Sequence, residues 1–217
     1  MSRAYADLAF TPTVRAWQTR MGSRAAYARL DGPVDRHAAL TGLEAAFIAA
    51  RDGFYQASVS ETGWPYVQYR GGPAGFLQVL DAQTLAYADF RGNRQYISAG
   101  NLAGQDRVSL LLMDYAQQQR LKILGRVRLI EAAQQPELMA QLQPTDYRAQ
   151  VERAVVITVE AFDWNCPQHI TPRFTEAEVE QAVQPLRKAL AEAQEQVRAL
   201  QAQAAFRASP PAAAAAD

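Results

Sequence analysis

Between Phe54 and Phe90 the chain is cut into short apolar runs joined by turns, and no helical crossover of the dozen or so residues that a parallel pair needs separates them. That spacing predicts an antiparallel meander. Phe54 to Ser60 reads as a strand, with Glu61-Thr62-Gly63 as the turn after it. The next run alternates, placing Tyr66, Gln68 and Arg70 on one face and Val67 and Tyr69 on the other. The alternation breaks at Gly71-Gly72-Pro73, where the backbone N–H groups are expected to be open to a ligand. Gly75 to Leu80 and Thr84 to Phe90 continue the series across a turn at Asp81-Ala82-Gln83.

Three later runs complete the set. Arg107 to Tyr115 is almost continuously apolar and predicts a central strand buried on both faces. Arg120 to Glu131 alternates over twelve residues, and Gly125 in its middle signals a bulge or a close backbone approach. Arg153 to Ala161 is the last strand. Six or seven strands suffice to close a small barrel and remove its edges.

Helical signals lie around this core. Thr13 to Tyr27 carries Val14, Trp17, Gln18 and Met21 at helical spacing, ending near Gly22, with a turn at Asp31-Gly32-Pro33. Asp35 to Ala50 predicts a stronger helix, ended by Arg51-Asp52-Gly53, on which His37 would be exposed. Pro136 to Gln143 predicts a short one with proline in its first turn. Thr175 and Glu178 have the spacing of a capping box. Beyond it Val179, Val183, Leu186, Leu190, Ala193, Val197 and Leu200 step by four and three, an a/d seam over three heptads. Pro185 is expected to kink or split that helix. The Pro/Ala-rich tail, 208–217, is expected to be disordered. The division expected is an N-terminal helical segment 1–34, a main domain 35–174, the C-terminal helix 175–207 and the tail.

Charge narrows the function. The 217 residues hold 22 Lys+Arg against 22 Asp+Glu, a formal balance of zero. Nucleic-acid and anionic-membrane partners select a basic excess, so neither is expected. Cys166 is the one cysteine and His37 and His169 the only histidines, which excludes an internal disulfide and a cysteine-rich zinc site. The N-terminus has no apolar signal-like core, and no window approaches 18 apolar residues. A cytoplasmic protein is the expectation.

Two arginines carry the sharpest chemical signal. Arg70 sits on a strand and Arg94 at what reads as the start of a short helix, both with glycines beside them. Guanidinium forks and free N–H groups at a helix start suit a phosphate-bearing ligand. The bland alternative, two surface ion pairs, stays open on the residues alone.

QYRGGPAGFLQVLD, YADFRGNRQYISAGNL, DYAQQQRLKILGRVRLIE and WNCPQHITPRF together resemble the pyridoxamine 5′-phosphate oxidase-related, FMN-binding split β-barrel family over roughly Phe10 to Arg187. The resemblance implies an α+β, mainly β fold: an antiparallel six- to seven-stranded split β-barrel with flanking helices and a long C-terminal helix. It implies a homodimer with FMN bound non-covalently at the subunit interface. In the related oxidase the segment matching Gly92-Asn93-Arg94-Gln95 reads Gly-Ser-Arg-Lys and grips the FMN phosphate. Asn93 here replaces the serine and Gln95 the lysine, and Arg70 or Arg91 would restore the lost charge. Gln68, Gly71 and Asp89 would lie along the flavin ring or ribityl chain. Arg120 and Lys122 are candidates for the pyrimidine edge, against the plainer reading of a solvated strand face. Trp164 or Gln168 would touch the ring, that of the other subunit included. The oxidase's substrate-binding lysine falls near Pro73, which points away from pyridoxamine 5′-phosphate as substrate.

These features make an FMN-dependent oxidoreductase with a small-molecule substrate or electron donor the leading expectation. A non-catalytic FMN-binding store or sensor and a flavin-free interaction scaffold are the alternatives. A cysteine nucleophile at Cys166, activated by His169, is a minor option.

Overall fold

The computed structural model describes residues 2–32, 39–164 and 166–208, and these form two compact units, 1–172 and 173–217. His37, the first turn expected of the helix from Asp35, Pro33, Asn165 and the tail from 209 lie outside the described residues.

The first unit holds seven strands: β1 (Gly53–Val59), β2 (Pro65–Gly71), β3 (Gln78–Asp81), β4 (Thr84–Phe90), β5 (Arg107–Asp114), β6 (Gln119–Glu131) and β7 (Val151–Trp164). Every pairing is antiparallel, in the order β2-β1-β5-β6-β7-β4-β3. The hydrogen-bonded ladder does not close, because β2 and β3 stand at its two ends. Side chains bridge the opening instead. Phe54 of β1 packs edge-on to Tyr87 of β4, with centroids 5.4 Å apart, and the Tyr87 hydroxyl donates to Gln56 Oε1 at 2.7 Å. The sheet is therefore the expected split, seven-stranded antiparallel barrel.

The main core fills this coil. Phe54, Leu110, Leu112, Leu121, Ile123, Leu85 and Ile157 point inward, and Phe47 and Ile48 plug one end. Those last two come from α4 (Gly42–Ala49), shorter than expected, since Leu40 precedes the helix and its N–H is spent on Ala82 O at 2.6 Å. Thr41 and Glu44 start α4 with a reciprocal capping box. A second cluster joins Met139 and Leu142 of α6 (Pro136–Leu142) to Ala86, Ala88, Ala154 and Val156.

That second cluster corrects one strand assignment. β4 is buried along five consecutive residues, because α6 covers the face that the barrel interior does not. β5, expected to be buried on both faces, buries Val108, Leu110 and Leu112 but leaves Ser109, Leu111 and Met113 half-exposed. A continuous apolar run does not reveal which strand a helix will cover.

Gly125 meets both halves of its expectation. The β6–β7 register shifts between Leu124 and Gly125, and a Cβ there would lie 2.6 Å from Thr158 O. Only glycine lets the two backbones approach so closely.

The N-terminal segment forms three short helices rather than one: α1 (Arg3–Ala9), α2 (Pro12–Arg20) and α3 (Arg24–Tyr27). Ser2 caps α1 and its hydroxyl donates to Phe162 O at 2.9 Å, which fixes the segment to β7. On α2 the apolar stripe faces outward: Val14, Trp17 and Met21 are exposed and Gln18 is buried, held by Arg24 Nη1 at 2.9 Å.

α5 (Ile97–Gly104) connects β4 to β5. Among the described residues of the second unit is one helix, α7 (Glu176–Ala208), opened by the expected Thr175–Glu178 capping box. It runs through Pro185 without a break, so the expected split does not occur. No described helix is long and apolar enough to cross a membrane.

Candidate functional site

β2 and β4 share no backbone hydrogen bonds, yet their side chains meet across the split. Arg70 Nη1 lies 2.9 Å from Asp89 Oδ1, and Arg153 Nη1 lies 2.9 Å from Asp89 Oδ2. Asp89 is buried and stands opposite Arg153 in the β4–β7 register. One carboxylate thus holds two guanidiniums, one from each side of the opening. Arg70 Nε is also buried and has no protein partner among the described residues.

An open pocket of about 200 Å³ lies at this network. Its floor is Gln68, Arg70, Asp89 and Arg153, and its rim is the loop from Gly92 to Tyr96 with the first turn of α5. The loop takes a left-handed backbone at Arg94 (φ 64°) and at Tyr96 (φ 55°). Asn93 Oδ1 accepts from Gln95 N–H at 3.1 Å and shapes the turn. Helix α5 begins at Ile97, three residues after Arg94, so Arg94 belongs to the approach loop rather than to the helix itself.

No side chain caps α5, and Ile97, Ser98 and Ala99 of its first turn line the pocket. Such a terminus presents unspent N–H donors and the positive end of the helix dipole. The Tyr96 hydroxyl donates to Glu152 Oε1 at 3.0 Å. It also accepts from the exposed Arg94, which with nearby Glu152 holds the guanidinium above the ordinary arginine value. Arg91 adds an ion pair to Glu152 at 3.4 Å and donates to Gln150 Oε1 at 2.7 Å.

Of the eleven residues singled out in the sequence, the pocket gathers Gln68, Arg70, Asp89, Asn93, Arg94 and Gln95. Gly71 lines an adjoining cavity of about 470 Å³ that shares Gln68, Arg70, Asp89, Phe90 and Gly92 with the first. Arg120, Lys122, Trp164 and Gln168 line neither. Lys122 pairs with buried Asp163 at 3.0 Å beneath the Tyr5 ring, and Arg120 donates to Cys166 O at 3.4 Å. The Trp164 indole N–H donates to Glu44 Oε1 at 2.7 Å while its ring packs edge-on against Phe47. Gln168 is exposed, as are Cys166 and His169.

The Gly71-Gly72-Pro73 turn is not the open loop expected. Gly72 N–H is spent on Asp52 O at 2.9 Å, and a Cβ at Gly72 would meet the Phe76 ring at 2.7 Å. The turn packs on the α4–β1 connection.

Glu152 and Arg153 were not singled out as site residues. Their signal was present: an adjacent acid–base pair stands directly before the apolar run Ala154–Ile157. Only the β4–β7 register puts that pair beside Asp89.

A seven-stranded antiparallel sheet coiled into a barrel, open at one seam and carrying its pocket there, defines a split β-barrel protein. The family model for pyridoxamine 5′-phosphate oxidase matches residues 40–166, more than half the chain, and the chain belongs to that family. The match leaves α1 to α3 and α7 outside it. No curated protein matches the sequence. Among solved structures, HupZ from Group A Streptococcus is 13% identical with a TM-score of 0.44, over 62% of this chain and 100% of that one. An FMN-binding protein from Syntrophomonas wolfei is 14% identical with a TM-score of 0.40, over 71% of this chain and 95% of its own. General stress protein 26 from Bacillus anthracis is 13% identical with a TM-score of 0.42, over 60% and 92% respectively.

Proposed function

We propose that the pocket at the split binds the phosphate end of FMN and that the protein is an FMN-dependent oxidoreductase acting as a homodimer. The observation that carries this reading is the convergence of Arg94, Arg70, Arg153 and the uncapped first turn of α5 on one pocket. A phosphate monoester brings close to two negative charges and demands cations and N–H donors together. Open space around Gly92, where a Cβ would meet nothing within 4 Å, lets a ligand oxygen reach the loop backbone.

The charge balance divides the roles. Asp89 neutralises much of Arg70 and Arg153, and Glu152 faces the Tyr96–Arg94 side. Arg94 is therefore the cation most available to the phosphate, with Arg70 and Arg153 as a fixed backing. The smaller pocket suits the phosphate end, and the adjoining cavity along Gln68 and Gly71 suits the ribityl chain. Bound FMN supplies the electron-transfer chemistry at its ring, while the chain binds, orients and keeps water away.

For the homodimer, the half-exposed outer row Tyr69–Tyr55–Leu111 across β2, β1 and β5 offers an apolar face of the kind a second copy covers. A non-catalytic FMN-binding protein is the second reading. It is favoured by Lys122 and Arg120 being engaged within their own chain, which leaves less free charge to tune a reduced flavin.

The test is differential binding of FMN and riboflavin. The wild-type chain should prefer FMN, and Arg94→Ala should lose most of that preference while its circular dichroism stays unchanged. An Arg94→Ala chain that discriminates as well as wild type overturns the phosphate assignment. Reduction of the bound flavin by NADH or NADPH, with turnover on an added acceptor, separates the enzyme from the store.

A further inference from the structure

α7 displays its apolar seam to solvent along its length: Val179, Leu186, Leu190, Val197 and Leu200 are between 49% and 69% exposed. A 33-residue helix is about 50 Å long, and one that bares a continuous apolar stripe gains stability mainly from a partner. The stripe repeats every seven residues. Val183, Leu190 and Val197 occupy the a positions, and Val179, Leu186, Ala193 and Leu200 the d positions. Ala193 leaves a hollow between Leu190 and Val197, the kind of hole a facing side chain fills.

We infer that α7 pairs with α7 of a second copy of this chain as a parallel, in-register, two-stranded coiled coil. β-Branched valine at two of three a positions with leucine at two d positions is the combination that favours two parallel strands. The flanking positions agree. Parallel pairing sets Ala182 against Arg187, Ala189 against Gln194 and Gln196 against Gln201, so no like charges meet. Pro185 falls at a c position, on the outer side, where its missing donor does not disturb the seam.

A lipid surface fits less well. The helix carries five glutamates against three arginines and one lysine, whereas interfacial helices hold a basic polar face. The seam lies outside the family-matched segment, so the pairing is an addition to the barrel and independent of flavin binding. Six or seven half-buried aliphatic side chains remove roughly 500 Å² per helix, short of the ~800 Å² per partner of a standard interface. The coil therefore reinforces a barrel-to-barrel contact and does not replace it.

Site-specific disulfide trapping in the full chain tests this. With Cys166→Ser as background, Ala193→Cys and Leu200→Cys are each introduced alone, with Lys188→Cys at the outward f position as control. A disulfide needs Cα atoms within about 7 Å, which in a paired coil holds at a and d positions only. Covalent homodimer should form on the order of tenfold faster at 193 and 200 than at 188, from the high effective concentration in the pair. Equal rates at all three positions overturn the proposal. So does trapping only when Val183→Cys and Leu200→Cys chains are mixed, which indicates antiparallel helices, since these set a positions against d positions. FMN binding by the same variants reads the barrel separately, so its loss or retention does not bear on the coil.

Discussion

Asp89 holds Arg70 and Arg153 at 2.9 Å each, and all three side chains are at least four-fifths buried. Removing the carboxylate would leave the Arg70 guanidinium unpaired in the seam and Arg153 with only its longer contacts to Glu152 and Glu131, at 3.5 and 3.7 Å. Breaking such a pair costs more than the pair itself contributes, because the remaining charge keeps its desolvation penalty. Asp89→Ala should therefore lower stability by about 2–4 kcal/mol, toward the low end because both arginines keep some water contact. Urea unfolding at neutral pH measures it. A loss below about 0.5 kcal/mol, the level of an exposed pair, would show that the bridge contributes little to the fold.

At the level of elements, Glu44 ties α4 to the end of β7. Burial raises the pKa of its carboxyl, but hydrogen bonds from the Thr41 hydroxyl, the Trp164 indole and the Thr41 amide outweigh that and leave it below the usual glutamate range. A carboxyl with a folded pKa below its unfolded one stabilises the fold fully above the unfolded value. The contribution disappears as pH falls through the folded value. Glu44→Gln should accordingly destabilise at neutral pH and flatten the acid limb of the stability–pH curve below about pH 4.5, the ordinary glutamate value. A variant whose acid limb keeps the wild-type slope would place the relevant titration elsewhere.

The whole chain divides where its cores divide. Both buried clusters lie between Leu40 and Val159, within the unit that ends at Pro172. Truncation after Pro172 should leave the sheet's circular dichroism intact and its melting temperature within a few degrees of the full chain at equal concentration. A molten or aggregated product would mean that α7 is needed for the barrel to fold.

The sequence by itself determined the strands, the capping box at Thr175 and the α7 seam, because each rests on a local pattern, and a glycine in the middle of an alternating run marked the bulge at Gly125 although its partner Thr158 is on another strand. It also marked Arg70, Asp89 and Arg94, though not their joint position. Tertiary structure alone decided that β4 inserts between β7 and β3, and that α6 rather than a second sheet covers β4. It decided that Arg153 completes the Asp89 bridge and that Trp164 turns to Glu44. These outcomes depend on which distant strands align, over separations of 64 and 120 residues in the last two cases. No local pattern encodes a register of that range, since it is fixed by the packing of the whole core.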